Sequence, residues 1–346
     1  MVNQILLNNE ISSSLNQNLF SLFQVIERNR LDLNLFSSLK NVDFLEEKSR
    51  IEEAYFSCLL NKNKVRQNRP KEIIKTNKAN SDYERLFSNV YKLVGDYSVL
   101  DGSDLSEKII KSAYLELKEN VSEANKSLAN VSSRFSKAMG SLLPPYSNDV
   151  SSLLNSLLKE LKLITRKNNS NLLLSSIAFV GCFLAISPFE FYNVQMGLLL
   201  LNYLLFKFGY GFNKYRSLSK FIYKDKKEFN LIIRRLRSGY QKNKLDCTSF
   251  IEFILSKLGE IYSSLSYSYS LISSKGKNKD KIYKLIKESN LPVTKETIEE
   301  TLFIYSKTTI EKSLGELSSE ARIKLINSGR HSTYILSSSS SSIFIF

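Results

Sequence analysis

The chain has 346 residues, enough for two or three domains, and its 42% hydrophobic content is ample for a core. Five prolines and twelve glycines over this length point to mostly helix, and a net charge of +15 favours an anionic partner, either lipid headgroups or nucleic acid. Three scattered cysteines, Cys58, Cys182 and Cys247, make no metal spacing and no disulfide framework, which suits a reducing compartment.

The N-terminal helical segment, residues 1–65, opens without a basic n-region or a long apolar h-region and does not read as a cleaved signal. From residue 11 it reads as two helices. The first is carried by Leu15, Leu19, Leu22, Phe23 and Ile26, and the second covers roughly Asn34 to Leu60. Residues 66–80 form a basic, polar linker containing Pro70.

Residues 81–168 read as a long helical hairpin. After a short helix over 82–98 comes a turn at Asp101-Gly102, where Asp104 and Glu107 have the spacing of a capping box. Ile110, Tyr114, Leu117, Val121, Ala124, Leu128, Val131, Phe135, Ala138 and Leu142 then alternate spacings of four and three. This predicts a coiled-coil-like rod roughly 55–60 Å long. Its seam would pair within the chain or with a second one. Pro144-Pro145 ends the rod, and Val150 to Ile164 returns as a helix with Leu154, Leu157, Leu161 and Ile164 on one face.

Residues 171–212 are the dominant feature. Leu172 to Phe189 has eighteen residues without charge, and Phe191 to Phe212 has twenty-two with only Lys207. Eighteen lies near the lower limit for crossing a bilayer and twenty-two suffices. Pro188 and Glu190 mark the turn between them. Arg166 and Lys167 precede the pair, while Lys214, Arg216 and Lys220 follow it. This asymmetry predicts a transmembrane helical hairpin with both chain termini on the cytoplasmic, matrix or stromal side. Gln195 and Asn202 would be mildly costly facing lipid, and the competing reading is a pair of helices at the centre of a soluble core.

Residues 213–245 read as a basic juxtamembrane helix in which eleven basic residues face two acidic ones. With the preceding flank, the expected contacts to anionic lipid or an acidic partner are Arg166, Lys167, Lys214, Arg216, Lys220, Lys224, Lys226, Lys227, Arg234, Arg235 and Arg237. Residues 246–330 read as a C-terminal helical domain, with helices at Lys279 to Glu288, from Thr294 or Thr297 to about Leu314, and at Ser318 to Ile326. Residues 331–346 form a low-complexity tail.

No motif carries chemistry. The single histidine, His331, has no cysteine or carboxylate cluster with it, and no glycine-rich phosphate loop is present. The chain is therefore expected to be no enzyme, with no catalytic, cofactor-binding or metal-binding residue and no cofactor. The expected fold is all-α, with long helices and a rod flanking the hairpin. The expected function is a membrane-anchored helical scaffold or accessory subunit with protein partners, homo- or hetero-oligomeric. The alternatives are a helical pore-forming or membrane-remodelling protein with an insertable hairpin, and a membrane-tethered nucleic-acid- or ribosome-associated protein. The Lys-, Asn-, Ile-rich, Trp-free composition suits an AT-rich genome or an organelle.

Overall fold

The apolar pair lies at the centre of a helical core. The computed structural model describes residues 17–30, 36, 39, 42–60, 65–98, 100, 105–121, 150–166, 172–242, 244–289, 291–327 and 332–337. It divides into two units, Met1–Arg30 with Glu46–Ile261, and Leu31–Leu45 with Tyr262–Phe346.

In the first unit the helices are α1 (Gln17–Arg30), α2 (Val42–Leu60), α3 (Arg69–Thr76), α4 (Asp82–Gly95), α5 (Glu107–Leu117), α6 (Val150–Arg166), α7 (Leu172–Ile186), α8 (Asn193–Lys207), α9 (Leu218–Lys224), α10 (Lys226–Gln241) and the first half of α11 (Thr248–Ser273). α7 and α8 are the two apolar arms. Thirteen of fifteen residues in α7 and twelve of fifteen in α8 are buried, so neither helix has a face left for lipid. α6, α8 and α10 pack on α7, and α4 packs on α8. α6 offers the stripe Leu154, Leu157, Leu158, Leu161 and Ile164, and α10 offers Phe229, Ile232, Ile233 and Leu236. The two arms cross closely because residue 197 is glycine: a Cβ there would lie 2.8 Å from Leu184.

This arrangement overturns the transmembrane hairpin. Fifteen residues span about 22 Å at 1.5 Å per residue, short of a hydrocarbon core of roughly 30 Å. No described helix is long and apolar enough to cross a membrane. The integral-membrane topology, the pore-forming alternative and the membrane tether fall with it. The polar residues that would have been costly in lipid pin α8 to α2. Gln195 Nε2 donates to the Ser57 carbonyl at 3.2 Å, and Asn202 Nδ2 donates to Glu53 Oε1 at 3.0 Å.

The rod is also corrected. α5 ends at Leu117, and the chain turns through Asn120 in the left-handed region (φ 57°) before burying Val121. The remaining heptad positions and Pro144-Pro145 lie outside the described residues. α5 begins at Glu107, with the Ser106 hydroxyl accepting the Ile109 N–H as the cap.

The second unit contains α12 (Asn278–Glu288), β1 (Val293–Thr294), α13 (Lys295–Thr301), α14 (Lys307–Ser319), β2 (Ile323–Asn327) and β3 (Thr333–Leu336). α12 packs on α14, and the strands form an antiparallel sheet in the order β1-β3-β2. Thr294 and Ser306 cap α13 and α14. The expected helix from Ser318 to Ile326 is a strand over most of its length. α14 stops at Ser319, Ala321 takes a left-handed conformation (φ 53°), and the following Ile-Lys-Leu-Ile suits the pleated sheet. The fold is thus mostly helical with a small sheet.

Candidate functional site at the turn between α7 and α8

Residues 187–192 reverse the chain between two buried helices. Both ends of the turn are non-glycine residues in the left-handed region, Ser187 (φ 49°) and Tyr192 (φ 61°). Such backbone costs about 1–3 kcal/mol per residue and collects at functional sites. Ser187 is held because its N–H donates to the Phe183 carbonyl and its hydroxyl to the Leu184 carbonyl, each at 2.8 Å. Asn193 closes the turn: its Oδ1 accepts the Phe189 N–H at 2.9 Å, and its Nδ2 donates to the Phe189 carbonyl at 2.5 Å.

α8 therefore starts without a side-chain cap. The first N–H groups of a fifteen-residue helix, with the positive end of its dipole, face the turn. This is the local geometry that receives anions.

α5 supplies the other wall. The Tyr114 ring stacks on Phe189 with centroids 3.9 Å apart and planes 5° from parallel. Burial pushes the Tyr114 phenol up to about 12, opposed by a backbone hydrogen bond with Phe191. Lys118, one turn on, is 4% exposed and lies 5.4 Å from the Tyr114 ring centroid. Burial lowers its pKa, and the charge of Glu190 pulls it back up. The Lys118 amine makes no hydrogen bond or ion pair among the described residues, and Glu190 Oε2 is buried without a hydrogen-bond partner. An unpaired carboxylate oxygen of this kind fits a divalent cation accompanying a phosphate, since such ions take one or two carboxylates and keep waters and phosphate oxygens.

The C-terminal end of α5 borders a separate, open polar cavity of about 580 Å³, lined by Arg85, Asn89, Lys92, Glu119 and Asn120 among others. There Arg85 is paired with Asp82 at 2.7 Å, and Asn89 Nδ2 donates to the Leu117 and Glu119 carbonyls. Asn89 thereby fastens the end of α5 to α4.

The basic residues expected to contact lipid do not act as one surface. Arg216 is buried and donates to the Tyr215 carbonyl at 3.0 Å, and Lys220 pairs with Glu52 at 2.9 Å. Lys226 donates to the Leu59 carbonyl, and Arg237 Nε donates to the Leu184 carbonyl at the end of α7 (3.4 Å). Burial lowers the Arg237 pKa. Arg166, Lys214, Lys224, Lys227, Arg234 and Arg235 are exposed, and Lys167 lies outside the described residues. With no membrane segment beside them, the lipid-contact expectation is withdrawn. Pro188 is buried in the turn and Glu190 is half-buried, so the reversal lies inside the protein.

Sequence reasoning missed Tyr114 and Lys118, which it placed in the rod's seam or passed over. The signal that the sequence offered was the lone acidic residue, Glu190, between two apolar arms.

No family model and no curated protein matches the chain. Among solved structures it is similar to a Fic family protein from Desulfovibrio desulfuricans G20, with a TM-score of 0.55 at 16% identity over 93% of this chain and 97% of that one. It also matches a Fic domain containing signaling protein from Bacteroides thetaiotaomicron VPI-5482, with a TM-score of 0.49 at 16% identity over 72% and 96% of the two chains. The first likeness establishes the fold along nearly the whole chain. The expectation of a non-catalytic membrane scaffold is corrected accordingly: the chain has a fold shared with a Fic family protein, and its apolar hairpin is buried in that fold.

Proposed function

We propose that the turn between α7 and α8 binds the phosphates of a nucleotide, in a protein of a fold whose members transfer AMP. The observation that carries this reading is the uncapped N-terminus of α8 with the buried Lys118 near the same turn, its amine making no hydrogen bond or ion pair among the described residues. The helix end and the ammonium supply donors and positive charge, and Glu190 takes the divalent ion that travels with the phosphates. Tyr114 and Phe189, stacked on each other, form the apolar floor. Titration calorimetry with ATP and magnesium tests the reading. Lys118→Ala should weaken affinity by about tenfold or more, the loss of one charge-assisted hydrogen bond of about 1.5–3 kcal/mol. Failure of the folded protein to bind ATP at millimolar concentration would end it. Mass analysis of protein acceptors incubated with ATP then reads whether AMP is transferred.

A second surface supports a protein partner. On the outer side of α10, Lys227, Leu231, Arg234 and Arg235 are exposed, with Leu231 45% accessible. Lys227, Arg234 and Arg235 make no hydrogen bond or ion pair among the described residues. Their three-, four- and seven-residue spacings align them on one helical face. A basic rim around an apolar residue suits an acidic protein surface. Arg234→Glu with Arg235→Glu should abolish a salt-sensitive association while leaving the helical signal intact.

A further inference from the structure

We propose that Cys182 and Cys247 form a redox-active dithiol, a modification site at which hydrogen peroxide converts two buried thiols into a disulfide. The residues are 65 positions apart in sequence, yet their sulfur atoms lie 3.7 Å from each other. Both are buried, Cys182 at 0% and Cys247 at 1% exposure. Gly181 makes the approach possible: a Cβ at that position would come within 3.0 Å of the Phe250 ring and 3.2 Å of Cys247 Sγ. A disulfide needs the sulfurs at about 2.05 Å, so side-chain rotation and a small backbone shift must bring them closer by roughly 1.7 Å.

Access comes from one side. Cys247 ends the irregular segment 244–247 between α10 and α11, where Lys244 and Asp246 are exposed. Non-helical segments of this kind open locally at lower free energy than the helices they join. While the segment is closed, the shared hydrogen bond with Cys247 and burial hold the Cys182 thiol protonated and slow to react. When it opens, one thiolate attacks the peroxide. The O–O bond breaks, a sulfenic acid forms, and the leaving hydroxide takes a proton to become water. The second thiolate then attacks that sulfur, the S–S bond forms, the S–O bond breaks, and a second water leaves. Two thiols lose two electrons, and the peroxide is reduced to two waters.

The consequence is mechanical. Cys182 lies one turn before Ile186, the last residue of α7, so the bond would fasten the end of α7 to the start of α11 beside the 187–192 turn. This inference stands on the thiol geometry and does not depend on nucleotide binding.

The test is to treat the whole protein with hydrogen peroxide, block remaining thiols, and map peptides by mass spectrometry. The expected result is loss of two of the three free thiols, a decrease in mass by two hydrogen atoms, and a Cys182–Cys247 cross-linked peptide. Cys58 should stay reduced, and the helical circular-dichroism signal should be retained. Cys182→Ser should abolish the cross-link and leave Cys247 as a trappable sulfenic acid. The proposal is overturned if both thiols remain free at peroxide doses that keep the fold. It is equally overturned if the link appears only after the helical signal is lost, or if either thiol pairs with Cys58 instead.

Discussion

Glu53 on α2 is the polar pivot of the first unit, and truncating it should nearly unfold that unit. The side chain is 3% exposed. Oε1 accepts from Asn202 Nδ2 at 3.0 Å and from the Ser219 hydroxyl, while Oε2 accepts from the Ser217 hydroxyl at 2.7 Å and the Ser219 N–H at 3.0 Å. These donors belong to α8 and to the first turn of α9, so one carboxylate joins three elements. Ser217 is also the cap of α9, since its oxygen accepts the Lys220 N–H at 3.0 Å. Glu53→Ala leaves those donors facing a cavity. Breaking a buried charged network costs about 3–5 kcal/mol, a large share of the 5–15 kcal/mol typical of a domain. Glu53→Gln keeps the shape, but its amide meets donors on whichever side it points, for an expected cost of about 1–3 kcal/mol. Urea denaturation followed by circular dichroism should rank wild type above Glu53→Gln above Glu53→Ala. A loss below about 1 kcal/mol for the alanine variant would refute the reasoning, because it would mean that water or repacking satisfies the donors.

Two further outcomes follow from local geometry. Arg69 grips Glu84 with two hydrogen bonds, at 2.7 and 3.0 Å, and that contact, with the Asn80 N–H, holds the Glu84 carboxyl below its ordinary value despite burial. A depressed folded-state pKa gives stability that is present above the unfolded value of about 4.3 and lost as pH falls through the folded one. Wild type should therefore exceed Glu84→Gln in thermal midpoint at neutral pH, and the gap should close under acid below that value; a gap that widens there would contradict the sign. At the crossing of α7 and α8, Gly197→Val should cost about 1–3 kcal/mol by overpacking against the fully buried Leu184. Pairing it with Leu184→Ala should recover part of that loss, and strict additivity in a double-mutant cycle would show that the two sites are not in contact.

The sequence displayed the central pair of helices and the turn between them, but not what surrounds them. A run such as Leu172 to Ile186 reads the same whether its neighbours are lipid tails or leucines. The deciding information lay elsewhere in the chain. α6 and α10 each carry an apolar stripe along one face, and a hairpin sunk in a bilayer would leave both stripes without a partner. Placing α7 between them buries all three at once. Gln195 and Asn202 pointed the same way, because α2 offers Ser57 and Glu53 as partners and a lipid tail offers none. Arg216, Lys220, Lys226 and Arg237 looked like juxtamembrane charge, yet each is bonded to the protein itself. The site was less legible still. Lys118 and Glu190 are far apart in sequence, and neither belongs to a recurring motif. Only the fold brings the end of α5 against the start of α8, and only the left-handed backbone of Ser187 and Tyr192 leaves that helix start uncapped. The proposed phosphate site therefore rests on backbone geometry and on one buried amine, features that a search of the sequence for histidines and glycine loops does not register.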